Sequence, residues 1–267
     1  MEEMTVPTSF GPYRLTRELG ACELAQRFLA VHETEQTSHL VYEMAPCFER
    51  SERRRVVGAI EPLLEMRHPH VLGLEHFSFV GNRPWLVAPY PGNQKGLVTL
   101  EDLVAEKGGQ MEQVEADRLL RQLLEAMEYV HGRGCGWGRV EARWVLVDRS
   151  GRAAAELVGV ARRLEGLRGV NAELIRDEVR AMVALGYRLI TGHEPDDLLM
   201  PASRLVRKLD RRWDMLFEDG LEPAGGFATA REALEALPST ERVGPERGRD
   251  PLTVKTVFGR VRGALRQ

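Results

Sequence analysis

Three short stretches near the N-terminus, "YRLTREL", "AQRFLAVH" and "SHLVYEMA", alternate in part between apolar and polar positions. A period of two, broken by turn-like or polar residues, predicts an antiparallel meander. The period then changes. In "RSERRRVVGAIEPLLEMR", Val56, Ile60, Leu63 and Leu64 recur at helical spacing under a basic outer face, which predicts a helix despite Gly58 and Pro62. "HVLGLEHFSFV" and "PWLVAPY", parted by "GNR", give a hairpin, and "PGNQKG" then breaks the pattern as a boundary would.

From residue 99 the helical period dominates. Val114, Leu119, Leu120, Leu123, Leu124, Met127 and Val130 form the buried stripe expected of one long helix. "NAELIRDEVRAMVALGYRLITG" predicts a second, apolar over much of its surface, with Gly192 as its stop. "PASRLVRKLDRRWDMLFEDG" and "ATAREALEALPS" predict two more amphipathic helices. "ERVGPERGRD" has the composition of a linker. The last segment predicts a helix capped by Asp250, with Val254, Val257, Phe258, Val261 and Leu265 on one face and Lys255, Arg260, Arg262 and Arg266 on the other. Strands first and helices after imply an α+β fold of two unlike lobes, divided as 1–90 and 91–240, with 241–267 a linker and basic helix.

Composition narrows the classes. The 267 residues suffice for two lobes with real cores, and 43% hydrophobic content fits a globular chain. A net charge of −3 gives no field to recruit nucleic acid. Cys22, Cys47 and Cys135 have neither metal-ligand nor disulfide-framework spacing. No apolar run approaches the roughly 18–20 residues of a membrane span, and "MEEMTVPTSFG" is no signal peptide. The expectation is a cytoplasmic chain; a piece of a longer, membrane-anchored protein would have the same composition.

In that order, "YRLTRELG", "RHPHVLGL", "WLVAPY", "TLEDLV", "LLEAMEYVHGRG" and "ALGYRLITGHEP" carry a resemblance to the eukaryotic-type Ser/Thr protein kinase family over roughly residues 10–238. The resemblance implies a bilobal fold: a small, mainly β N-lobe with one helix and a larger helical C-lobe. It also implies positions where a kinase keeps its chemistry, and here those positions are degenerate. The glycine-rich pattern keeps Gly20 but has Cys22 and Ala25 at the other glycines and Arg27 at the valine. The third-strand lysine falls on Glu43, and its helix partner on Ala59, with Glu61 as a substitute if the helix is offset. The H-R-D triplet falls on Trp137, Gly138 and Arg139, the metal-binding asparagine on Trp144, and D-F-G on Leu157, Val158 and Gly159. Arginine, tryptophan and leucine do not ligate Mg²⁺, which takes oxygen. Only 18 residues, 160–177, separate Gly159 from Glu178, so the activation segment is short.

Phosphoryl transfer rests on positioning and electrostatics, so these residues imply a pseudokinase: a protein-interaction or scaffold module with no catalytic residue, metal or cofactor, not expected to bind Mg-ATP. A different class, a metal-independent nucleotide or small-ligand sensor, would use the hinge and cleft at Val41, Ala88, Pro89, Tyr90 and Leu146. An enzyme of unrelated chemistry would have only Glu43, Glu141 and Arg139 to work with. Trp137 and Trp144 are expected to fill vacated space with a satisfied N–H rather than bind a ligand. Arg139 is expected to pair with Glu178 or Asp177, His68, His70 and His131 to be packed or capping, and the basic run "ERSERRRVV" to be a solvated face. The terminal basic helix suits its own domain, a protein partner of unknown identity, or an anionic membrane surface.

Overall fold

The structure, a computed structural model, describes residues 9–92, 96–196, 198–223 and 225–238. The linker and basic helix expected over 241–267 lie outside them. Six strands build one antiparallel sheet: β1 (Ser9–Phe10), β2 (Tyr13–Ala21), β3 (Ala25–His32), β4 (Ser38–Met44), β5 (His76–Val80) and β6 (Arg83–Pro89), ordered β1-β2-β3-β4-β6-β5. Helix α1 (Arg50–Glu65) runs between β4 and β5. It starts at a capping box in which Glu49 and Glu52 each accept the other's backbone N–H. Pro62 stands inside it, and the helix persists because Val56, Ala59, Ile60 and Leu63 are buried on one side.

The second lobe begins with a small sheet of β7 (Val98–Thr99), β8 (Val145–Val147) and β9 (Ala153–Ala155). Around it lie α2 (Leu100–Glu106), α3 (Gln113–Gly132), α4 (Val160–Leu164), α5 (Ala172–Thr191), α6 (Ala202–Leu205), α7 (Arg212–Leu221) and α8 (Ala230–Ala236). Helix α5 is capped at its start by the Asn171 side chain, and Gly192, at φ 77°, stops it. Between Gly159 and α5 stands only α4 and a loop, the abbreviated activation segment. No described helix is long and apolar enough to cross a membrane.

Two expectations fail in detail. Val114 is 60% exposed, because it sits in the first turn of α3, and the buried stripe begins only at Ala116 and Leu119. The segment 201–220 is two helices rather than one; the chain turns between them, with Lys208 in the left-handed region at φ 67°. The main core stands where α3 and α5 pack, and Leu123 is fully buried there. Leu123→Ala should remove about 2–5 kcal/mol of stability, read as a lower midpoint in chemical denaturation with the fold retained.

Candidate functional site

Strand register decides which side chains face the space between the lobes. Arg27 stands opposite Tyr42 and Phe28 opposite Val41, while Tyr42 pairs with Leu86, Leu40 with Ala88 and Val41 with Val87. Successive side chains alternate between faces. Arg27, Leu40, Tyr42, Leu86 and Ala88 therefore point inward. Phe28, Val41 and Val87 point outward, into a separate cluster with Phe10, Tyr13, Ala30 and Trp85.

The inward pair meets a carboxylate from the other lobe. Glu156, directly after β9, is 2% exposed. Arg27 Nη1 donates to its Oε1 at 2.5 Å and the Tyr42 hydroxyl to its Oε2 at 2.7 Å. The Glu156 backbone is held as well, its N–H donating to Trp144 O at 2.9 Å. Burial pushes the Glu156 carboxyl above the usual carboxylate range, while the Arg27 charge and the Tyr42 hydroxyl pull it back. Burial and the neighbouring carboxylate raise the Tyr42 phenol well above its ordinary value, so it stays a donor.

Above this triad the β2–β3 connection is a tight turn. Cys22 and Ala25 exchange backbone hydrogen bonds at 2.8 and 3.3 Å, and the Cys22 thiol donates to Ala25 O. The turn folds inward. Leu24 lines the interlobe cavity, and Glu23 accepts from Arg139 Nη1 at 2.7 Å, with Arg143 3.9 Å away. Arg143 also pairs with Glu141 at 2.8 Å.

The catalytic-loop segment hangs from α5. Glu178, 4% exposed, accepts from the backbone N–H groups of Trp137 (2.9 Å) and Gly138 (2.7 Å) and pairs with His131 Nε2 at 2.7 Å. Gly159 N–H donates to Trp137 O at 2.7 Å. Leu157 is left-handed at φ 49°, an unfavourable conformation for a leucine, and both it and Val158 are buried. Trp137 and Trp144 are 5% and 8% exposed and border the same cavity, whose free volume is only about 30 Å³. That is space for about one water molecule. Among the described residues no group of three or more His, Cys, Asp or Glu side chains is placed to hold a metal ion.

Several expectations need correcting. The third-strand position facing the cleft is Tyr42, not Glu43. Glu43 lies on the outer face and pairs with Arg83 at 3.2 Å, and Val41 lines no cleft. A one-residue slip in a strand reverses every facing, and no lysine was present to pin the register. Arg139 pairs with Glu23 rather than with Glu178 or Asp177; the acid binds amides instead, and Asp177 faces Arg180 at 3.3 Å. Trp144 fills space, yet its indole N–H has no hydrogen-bond partner among the described residues. Ala59 is buried on α1 while Glu61 is exposed, so Glu61 does not substitute. Of the hinge residues, Ala88 and Leu146 are buried in the main core, Tyr90 packs against it half-buried, and Pro89 is exposed.

Solved structures share this architecture. The kinase domain of PknI from Mycobacterium tuberculosis matches with a TM-score of 0.68 at 21% identity, over 87% of this chain and 98% of that one. The fold is that of a protein kinase. Its sequence relatives are Ser/Thr protein kinases too. The kinase-like chain is 29% identical over 132 residues to sucrose non-fermenting protein kinase 1 of Fusarium virguliforme, covering 49% of this chain and 18% of that protein. It is 29% identical over 179 residues to CBL-interacting protein kinase 4 of Oryza sativa subsp. japonica, covering 66% and 37%. It is 26% identical over 150 residues to the serine/threonine-protein kinase Pkn1 of Chlamydia trachomatis, covering 55% and 24%. The chain thus spans less than two fifths of the length of these relatives. No protein-family model matches it.

The interlobe triad of the kinase-like chain escaped the sequence reading, although a signal was there. "AQRFLAVH" and "AAAELVG" each carry one charge in an otherwise apolar strand context, and the charges are opposite. Glu156→Ala should cost about 3–5 kcal/mol, because it leaves Arg27 buried without a counter-ion. Arg27→Met combined with Glu156→Leu should recover most of that loss, and a double-mutant cycle in denaturant checks both. Gly159→Ala places a Cβ 2.6 Å from Gly136 O at φ 72°; it should lower stability by about 1–3 kcal/mol, visible as a reduced melting temperature.

Proposed function

We propose that this kinase-fold chain is a pseudokinase that transfers no phosphate, does not take up Mg-ATP, and acts as a protein-interaction or scaffold module. The observation that carries the reading is the Arg27–Glu156–Tyr42 bridge. It crosses the space between the lobes with side chains, where the resemblance puts the nucleotide. The inward third-strand position holds a phenol in place of an ammonium, so phosphates lose their cation. The base position is Arg139, and Trp144 and Leu157 stand at the two metal positions. Glu156 is the carboxylate adjacent to Leu157 in the chain, and Arg27 and Tyr42 already engage both of its oxygens. The Glu23–Arg139 pair draws the turn that would cover phosphates onto the catalytic loop. What such a chain retains is a rigid surface. The sensor reading needs open volume between the lobes, and the small cavity beside Trp137 and Trp144 weighs against it.

The test is a thermal-shift titration of the chain with ATP, ADP and adenosine, each with Mg²⁺ or with EDTA. A ligand held only by the folded state at about a hundred times its Kd adds roughly 2.7 kcal/mol, so binding is readily seen. The expected result is no shift in any condition. A shift that needs Mg²⁺ overturns the proposal, and a metal-independent shift replaces it with the sensor.

A further inference from the structure

The first two turns of α1 expose a row of arginines that nothing among the described residues neutralises. Arg50, Arg54 and Arg55 are all exposed, and none has an ion-pair or hydrogen-bond partner there. The buried side of the helix, Val56, Ala59, Ile60 and Leu63, turns them toward solvent. Gly58 follows Arg54 by four residues on the same face. With no side chain at that position, the Arg168 guanidinium from the loop after α4 lies against the helix, its Nη2 3.1 Å from where a Cβ would stand. Arg168 is exposed and equally unpaired among the described residues. Arg50, Arg54 and the Arg168 guanidinium beside Gly58 therefore follow one stripe about 12 Å long, and Arg55 adds an exposed guanidinium about 100° round the helix from Arg54. The two nearby acids are already engaged, Glu49 accepting from the Ser51 hydroxyl and the Glu52 N–H, and Glu52 from the Phe48 and Glu49 N–H groups.

An aromatic ring stands at the end of this row. Phe48 precedes the helix cap and is 75% exposed. A residue at that place commonly packs on the fourth helical residue, closing a hydrophobic staple. Here the fourth residue is Arg53, and it is turned away: its guanidinium covers the Phe79 ring at 4.7 Å and donates to Gly81 O. Phe48 is left uncovered beside the unpaired arginines. Arginine and exposed aromatic side chains are the residue types that anchor interfaces.

We propose that this face of α1 is a docking surface for an acidic polypeptide segment carrying an apolar side chain. Arg50, Arg54, Arg55 and Arg168 receive its carboxylates, for which the planar guanidinium fork is suited, and Phe48 receives the apolar group. A short segment is favoured over an anionic bilayer because Glu61 and Glu65 continue the same exposed face. A flat surface laid along the helix would meet those carboxylates as well, whereas a segment can follow the first two turns alone. The surface stands apart from the cleft, so its test and the nucleotide titration are read separately.

The experiment measures fluorescence anisotropy of a labelled peptide of repeating Glu-Glu-Leu with the intact chain. A Gln-Gln-Leu peptide and co-sedimentation with phosphatidylserine–phosphatidylcholine vesicles run beside it. Expected is binding of the acidic peptide alone, weakening with added salt. It should fall at least about tenfold in Arg54→Glu/Arg55→Glu and about threefold in Phe48→Ala, with melting temperatures unchanged. Arg168→Glu, on a different segment, should weaken binding in the same direction and serves if the double variant unfolds. Absence of acidic-peptide binding, equal binding of the Gln-Gln-Leu peptide, equal binding by the charge-reversed variants, or arginine-dependent capture by the vesicles instead overturns the proposal.

Discussion

Taking the Glu156 carboxylate out of water costs several kcal/mol unless a fixed cation and a fixed donor meet it. Arg27 and Tyr42 are that cation and donor, and both come from the sheet of the opposite lobe. The requirement therefore sets more than a local contact. It fixes the register in which β3 and β4 present their inner faces, and it draws the sheet down over β9. The turn at Cys22–Ala25 is carried to the catalytic loop with the strands it joins, which brings Glu23 within reach of Arg139. The two aromatic rings and Leu24 then close what is left of the gap.

A second buried acid organises the lower half. Glu178 receives two backbone amides and a histidine, so it holds the catalytic-loop segment by its main chain and not by any particular side chain. This explains how the loop keeps its course although Trp137, Gly138 and Arg139 share nothing chemically with the triplet the kinase resemblance puts there. An anchor made to the backbone tolerates replacement of the side chains it displays. The loop can lose its chemistry without losing its shape.

The fold was legible in the sequence because periodicity and turn chemistry agree over most of the chain: two-residue alternation in the first lobe, helical stripes in the second, and Gly192 where a helix ends. Less legible were facts of facing. A strand read one residue out of register exchanges its two sides, so the motif spacing puts Glu43 toward the cleft where Tyr42 stands. Pairings between distant segments were hidden for a related reason. Arg27 and Glu156 are separated by 129 positions, and sequence spacing alone carries no signal of which buried charge meets which. Charge matching assigns Arg139 to Glu178 or Asp177, but the amides of its own loop, whose placement the sequence does not display, occupy Glu178. The split of 201–220 into α6 and α7 was masked by helix-favouring residues whose continuity is broken at Lys208.

The interlobe bridge is made wholly of the chain's own side chains, and this changes what the domain can report. A two-lobed fold that closes around a ligand has a closed fraction that rises and falls with ligand concentration, and any partner reading the closed shape inherits that dependence. Here closure is part of folding itself. On the proposed reading the relative placement of the lobes follows from folding alone, and a partner bound across them would meet the same surface whether adenylates are plentiful or scarce. In thermodynamic terms a chain of the proposed kind would have no linkage between nucleotide and partner, and would present a constant where a ligand-gated fold presents a variable.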